Sequence, residues 1–356
     1  MSPKKLNDLR KKIDEIDSRI VNLVNQRGEI SSEIGDIKKG KKQPIYSPDR
    51  ESQIYKRIAQ KNKGPLSDDS VKAIYRELMS ACLSLEKPMT VAYLGPEVTF
   101  THQVSLKKFG SSASYLSCDS ITDVFSEVEK GNADYGVVPI ENSIEGAVNH
   151  TLDMFVDSAL LICSEVYFPI RHCLLSKKSS IASIKSVYSN PQVFGQCRGW
   201  IEKNLPLARL RDVASTAKAA EMAAKHSVSA CIASELASKK YQLKVIARSI
   251  EDSATNITRF LVIGKHISKI SGADKTSIVF SVKDRPGVLH DMLNSFKKRG
   301  INLTKIESRP SKKKLWKYYF FVDMDGHREN PKVRKALKDL ENKCHFLKIL
   351  GSYPKG

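Results

Sequence analysis

Apolar positions between residues 6 and 37 recur in steps of three and four: Leu6, Leu9, Ile13, Ile16, Ile20, Leu23, Arg27, Ile30, Ile34 and Ile37. That spacing predicts one long helix whose seam packs against other helices. Nine of the ten seam positions are Leu or Ile and the tenth is arginine. A guanidinium cannot shed its charge, so in such a seam it needs an anion, either a carboxylate of the protein or a bound ligand. Ser47-Pro48-Asp49 predicts the start of a second helix running through Ile54 and Ile58. Val71, Ile74, Leu78, Cys82 and Leu85 predict a third, which Pro88 ends, so a first, all-α domain is expected at 1–88. From residue 89 short apolar runs alternate with helical ones, which predicts parallel α/β units over 89–270. The remainder, 271–356, reads as strand 276–282, helix 287–299, strands 301–307 and 315–322, helix 332–341 and strand 346–350. This βαββαβ order predicts a ferredoxin-like α+β fold.

The basic residues of the first helix fall into two groups. Lys38 follows Arg27 by about three turns, so both project from nearly the same face with Cα atoms roughly 16 Å apart. Long side chains at that distance can converge on one small polyanion. Arg10 lies roughly 25 Å from Arg27 along the same helix, too far to share that ligand within one chain. If Arg10 serves the same ligand it comes from a second copy, so the spacing points to a dimer with composite sites.

Strand ends in the α/β region carry hydroxyls and amides where helices should start: Thr99, Asn142 with Ser143, Ser189, and Thr216. Singly these are helix caps. Together they place polar groups and helix N-termini along the carboxyl edge of a sheet, where open α/β folds bind anionic ligands. No Gly-x-Gly-x-x-Gly or phosphate-loop pattern is present, so no nucleotide cofactor is expected.

The chain of 356 residues, 41% hydrophobic and 28% charged, has an ordinary globular composition with room for two or three domains. It shows no apolar signal core and no run near the ~18 apolar residues of a membrane span, so no membrane partner is expected. Seven scattered cysteines without a Cys-x-x-Cys pair predict reduced thiols in a cytoplasm and no metal site. The formal charge of +20 invites a nucleic-acid reading. The lysines are dispersed, however, with clusters only at 38–42 and 312–314, and no nucleic-acid-binding motif occurs. Small anionic metabolites suit the charge better.

Arg10, Arg27, Lys38, Arg50, Glu51 and Glu86 on three helices resemble the all-helical chorismate mutases over the first 88 residues. The resemblance implies that arginines hold the two carboxylates of chorismate, one of them from the partner subunit, matching Arg10 and Arg27. It implies that Lys38 donates to the ether oxygen as the C–O bond breaks, and that Arg50 and Glu51 position the substrate. Such a rearrangement needs no nucleophile, only conformational restraint and stabilisation of charge on that oxygen. Ser47 departs from an aspartate common in the pattern, and Glu86 from a glutamine found in some members. Glutamate donates a hydrogen bond only when protonated. The expectation is therefore a Glu86 kept protonated by burial and a mutase activity that falls as pH rises.

Gly95-Pro96-Glu97, Glu141-Asn142-Ser143, the run 189–197 and Thr258-Arg259-Phe260 resemble prephenate dehydratase over about 180 residues. This implies a bilobal α/β fold, similar to periplasmic binding proteins, with Thr258 as the acid and Asn142, Ser189 and Gln196 positioning prephenate. Thr99, Ser143, Thr216, Arg259 and Phe260 are expected among the substrate-binding residues. Val98 replaces the glycine usual after Gly-Pro-Glu. Residues 285–289 and 307–310 resemble the ACT regulatory domain, in which phenylalanine binds between paired domains and inhibits. That implies phenylalanine binding by Gly287, Val288, Leu289, Glu307, Ser308, Arg309 and Pro310. Gly287 reads either as close backbone approach to that ligand or as a helix-start turn, and Val288 stands where alanine is common. The whole chain is similar to the bifunctional chorismate mutase–prephenate dehydratases. The resemblance implies chorismate and prephenate as substrates, phenylpyruvate as product, no cofactor, and a homodimer or dimer of dimers. Two alternatives stay open: a dehydratase preferring arogenate, and a non-catalytic amino-acid sensor.

Overall fold

The computed structural model describes residues 3–41, 44–282, 285–310 and 318–356. Lys42, the lysines at 312–314 and the start of the strand expected at 315–322 lie outside the described residues. The chain forms two compact units, Met1–Thr90 with Lys108–Ser114, and Val91–Lys107 with Tyr115–Gly356.

The first unit is built on helices α1 (Pro3–Gly40), α2 (Pro48–Lys61) and α3 (Asp68–Glu86). Pro48 opens α2 directly after Ser47, and the Ser67 side chain caps α3 by accepting from Ser70 N. Ile54 and Ile58 of α2 pack on Met79 of α3. The second half of α1 packs on α3 through a face beside its leucine–isoleucine seam, where glycines replace bulk. A Cβ on Gly35 would stand 2.9 Å from Glu86 Cβ, and one on Gly28 would stand 3.3 Å from Leu85 Cδ1. The seam itself is exposed within one chain, with Ile13 at 56%, Leu23 at 62% and Ile37 at 60% of full accessibility. The packing expected of it is not made by the described residues of one chain. Residues 108–114 join this unit: Ser111 donates from both N (2.9 Å) and Oγ (2.8 Å) to Glu77 Oε2.

The second unit carries three sheets. In the first lobe, β1 (Thr90–Leu94), β2 (Ser114–Cys118), β3 (Tyr135–Asn142), β4 (Gly146–Ala147), β5 (Leu161–Pro169) and β11 (Ile257–Gly264) take the order β2-β1-β3-β11-β5, with β4 on β3. Helices α4 (Phe100–Phe109), α5 (Ile121–Lys130) and α6 (Asn149–Asp157) connect them. In the second lobe, β6 (Cys173–Ser176), β7 (Ser186–Ser189), β8 (Arg209–Asp212), β9 (Ser229–Ala233) and β10 (Lys244–Ala247) take the order β10-β6-β9-β7-β8. Its helices are α7 (Pro191–Gln196), α8 (Arg198–Asn204), α9 (Thr216–Lys225) and α10 (Glu235–Lys240). The two crossings between lobes run side by side, Ile170 N donating to Asn256 O (2.8 Å) and Ile250 N to His172 O (3.0 Å).

The third sheet is formed by β12 (Asp274–Ser281), β13 (Leu303–Pro310), β14 (Tyr318–Asp325) and β15 (Phe346–Pro354) in the order β13-β14-β12-β15. Helices α11 (Val288–Lys297) and α12 (Pro331–Glu341) cover one face. Strand alternation divides the labour of β12. Ile278 and Phe280 pack with Phe296 and Leu337 under the helices, whereas Val279 joins Phe125, Phe155 and Leu261 of the first lobe. The expected multidomain order is therefore built: helical, bilobal α/β, then ferredoxin-like α+β. No described helix is long and apolar enough to cross a membrane.

Candidate active sites

In the helical unit, Arg27 is half-buried on α1, while Arg10 and Arg50 are exposed. Lys38 Nζ donates to Glu86 Oε2 (2.9 Å) and to the Ile45 carbonyl (2.8 Å), and Ser31 Oγ donates to Glu86 Oε1 (2.9 Å). An ammonium and a hydroxyl are aimed at its two oxygens, so in these contacts Glu86 accepts, where the sequence predicts a donor. Glu51 is likewise committed within the chain. Tyr46 Oη and Lys108 Nζ each donate to its Oε2 at 2.6 Å. Burial pushes the nearby Tyr55 phenol up, and the Glu51 charge adds to the effect.

In the bilobal unit, β3 and β11 pair so that Asn142 lies opposite Thr258. Asn142 Nδ2 donates to Thr258 Oγ1 (2.8 Å) and to Asn256 Oδ1 (2.7 Å). Asn256 Nδ2 donates to Gln196 Oε1 at 3.1 Å, and Gln196 Nε2 donates to Glu145 Oε1 at 2.8 Å. Gln192 Nε2 donates to the other oxygen of Glu145 at 2.7 Å. His172 Nε2 also meets Gln196 Oε1, at 2.9 Å. That oxygen can only accept, so the imidazole carries its proton on Nε2 and leaves Nδ1 as a buried lone pair without a partner among the described residues. Burial lowers the His172 pKa, against the opposing pull of the Gln196 hydrogen bond and the Glu251 charge.

Thr258, Asn142 and Gln196 are thus brought into one network, which Asn256, His172, Glu145 and Gln192 extend. Asn256 stands two residues before Thr258, a period-two signal readable in the sequence. His172, Glu145 and Gln192 carry no local signal. The other expected residues lie outside the network. Thr99 Oγ1 donates to Leu94 O (3.2 Å), and Ser189 is buried with Oγ donating to Ile232 O (2.9 Å). Thr216 opens α9 beside Ser215, the residue whose side chain caps it. Ser143 Oγ ties the crossing, donating to Thr255 O (2.7 Å) and accepting from Ile257 N (3.0 Å). Phe260 is buried. Arg259 is not brought to Thr258. Its side chain bonds to Glu165, Asp323 and Tyr353 instead, because successive residues of a strand face opposite ways.

Val98 holds φ 63°, the left-handed region that β-branched residues seldom adopt. Conformation therefore accounts for the glycine usual at this place. In the third domain Gly287 caps α11 at φ 76°, and a Cβ there would meet nothing within 4 Å among the described residues. The helix-start turn explains this glycine inside the chain. Val288 is half-buried and Leu289 exposed; along β13, Glu307 and Arg309 face inward while Ser308 and Pro310 face out. Arg309 Nη2 reaches Asp153 of α6 at 3.1 Å.

Three family models match the chain in order: chorismate mutase type II over residues 9–87, prephenate dehydratase over 91–268 and the ACT domain over 276–342. Across 354 residues, 98% of both chains, the sequence is 53% identical to the bifunctional chorismate mutase/prephenate dehydratase of Aquifex aeolicus. The chain belongs to the bifunctional chorismate mutase/prephenate dehydratase family. It is a chorismate mutase and a prephenate dehydratase with an ACT domain, an enzyme of phenylalanine biosynthesis. The Neisseria gonorrhoeae member is 43% identical, covering 97% of this chain and 96% of that one. A prephenate dehydratase from Arthrobacter aurescens, solved in complex with L-Phe, superimposes with a TM-score of 0.70 at 33% identity. The match covers 75% of this chain and 90% of that structure.

Proposed function

We propose that the two activities run at separate sites built from the residues above, and that phenylalanine inhibits the second. In the mutase, Arg27 and a second copy's Arg10 hold the carboxylates of chorismate, Arg50 and Glu51 position it, and Lys38 supports the negative charge that grows on the ether oxygen. Two features favour a homodimer: the separation of Arg10 from Arg27, and the exposed apolar seam of α1, which a second α1 would cover. Glu86 and Ser31 serve to aim Lys38.

One contact carries the dehydratase reading. Asn142 donates to Thr258 Oγ1, so the hydroxyl's acceptor side is occupied and its own proton is free to point away. Thr258 then donates to the hydroxyl of prephenate as that group leaves. Carbon dioxide departs with it, and the ring becomes aromatic, yielding phenylpyruvate. A threonine hydroxyl is a weak acid, and aromatisation supplies the driving force that makes it sufficient. Gln196 and Asn256 fix the amide that activates Thr258.

Phenylalanine is read as binding at Gly287–Leu289 and Glu307–Pro310, and a relative from Arthrobacter aurescens solved in complex with L-Phe supports phenylalanine as the effector. Inhibition requires the effector to bind one state of the enzyme better than the other. The test is incubation with chorismate and identification of products by mass spectrometry, with and without phenylalanine. The native chain should release phenylpyruvate, and less of it with phenylalanine. Thr258→Ala should accumulate prephenate, with dehydratase turnover down about a hundredfold or more and mutase turnover intact. Equal loss of both activities would sink the assignment of Thr258.

A further inference from the structure

The two strands that present Asn142 and Thr258 also carry a buried ionic lattice on their opposite faces. Register sets Glu141 of β3 against Arg259 of β11, as it sets Asn142 against Thr258. On that far face Arg259 Nε donates to Glu165 Oε2 of β5 (2.8 Å) and Nη1 to Asp323 Oδ2 of β14 (2.5 Å). Lys275 Nζ of β12 donates to the same Glu165 oxygen at 2.8 Å. Lys305 Nζ of β13 stands 2.9 Å from Glu141 Oε2, which Arg259 Nη1 also approaches, at 3.9 Å. Three cations therefore interleave with three carboxylates, one carboxylate and two cations coming from the ACT domain. Arg259, Glu165, Lys275 and Asp323 are all buried.

Charges removed from water are costly unless partners meet them with good geometry, and removing one partner leaves another stranded. Such a lattice has few arrangements of comparable energy, so it fixes whatever backbone carries it. Here the backbone is that of Glu141 and Arg259, each one residue from a member of the reacting pair. Resting on the dehydratase roles proposed above for Thr258 and Asn142, we propose that the ACT domain, through Asp323 and Lys305, positions these two residues for the reaction. Arg259 is then a positioning residue acting through its strand, not a contact to prephenate. A misplacement of about 1 Å at a reacting group can cost a hundredfold in rate, so small shifts of these strands suffice.

The full-length enzyme carrying Asp323→Asn tests this, with steady-state kinetics on prephenate and on chorismate. Dehydratase kcat should fall about tenfold with KM for prephenate unchanged and mutase kinetics unaltered. Lys305→Gln, which removes one cation while Arg259 keeps Glu165 and Asp323, should lower kcat about threefold and keeps the test open if Asp323→Asn fails to fold. Arg259→Lys should behave like Asp323→Asn. Three results would overturn the proposal: unchanged dehydratase kcat in a folded lattice variant, a rise in KM alone, or a matching loss of mutase rate.

Discussion

His172 shows how one buried ring ties the dehydratase site to pH. Its Nε2–H is committed to Gln196, and Nδ1 is a lone pair buried without a partner among the described residues. Burial lowers the folded-state pKa below the ordinary 6.5. The unfolded chain then binds the extra proton first, so folding stability is complete above about 6.5 and declines as pH falls toward the folded value. Urea unfolding between pH 7.5 and 5 should show this decline, and His172→Gln should reduce it; an unchanged slope in the variant would remove His172 from the account. At this scale the sequence is legible where a residue's neighbours along one strand face decide its role, as with Thr258, Asn142 and Asn256. It misleads where adjacency stands in for proximity. Arg259 sits beside Thr258 in the chain and across the sheet from it in space. Thr99 and Ser189 read as ligands from sequence, yet each hydroxyl donates to a backbone carbonyl, as small hydroxyls near helix starts and strand ends readily do.

At the scale of elements, periodicity located the helices and strands to within a few residues, because the apolar face of each is written in its spacing. It could not say what covers that face. The seam of α1 reads as a packed helix and is exposed in one chain, while α1 meets α3 through Gly28, Ser31 and Gly35, which no hydrophobic pattern marks. If a second copy covers the seam, a charge placed there should separate the copies. Ile20→Asp should convert a dimer to monomers in sedimentation and lower mutase kcat/KM about a hundredfold, since Arg10 would no longer reach its partner site. Dehydratase activity in the same sample should stay within about twofold, by the additivity of distant sites. A variant that remains dimeric with full mutase activity would contradict the two-chain site.

For the molecule as a whole, motif order predicted three domains in sequence, and the three sheets and bundle follow that order. What the sequence hid is the detour at Lys108–Ser114, which belongs with the helices although the boundary reads as Pro88. Lys108 neutralises the buried Glu51 at 2.6 Å, a contact no local pattern encodes. Lys108→Met should destabilise the helical unit by about 3 kcal/mol in thermal unfolding, and adding Glu51→Met should restore most of the loss. Equal stability of the single variant would show the pair to be idle. The detour also bears on how such a protein could come apart. A gene split after residue 88 or 90 would hand one product a carboxylate whose counterion is encoded in the other. A single break keeps Glu51 and Lys108 in one piece only if it falls beyond residue 108, and it then carries β1 and most of α4 away with the helices.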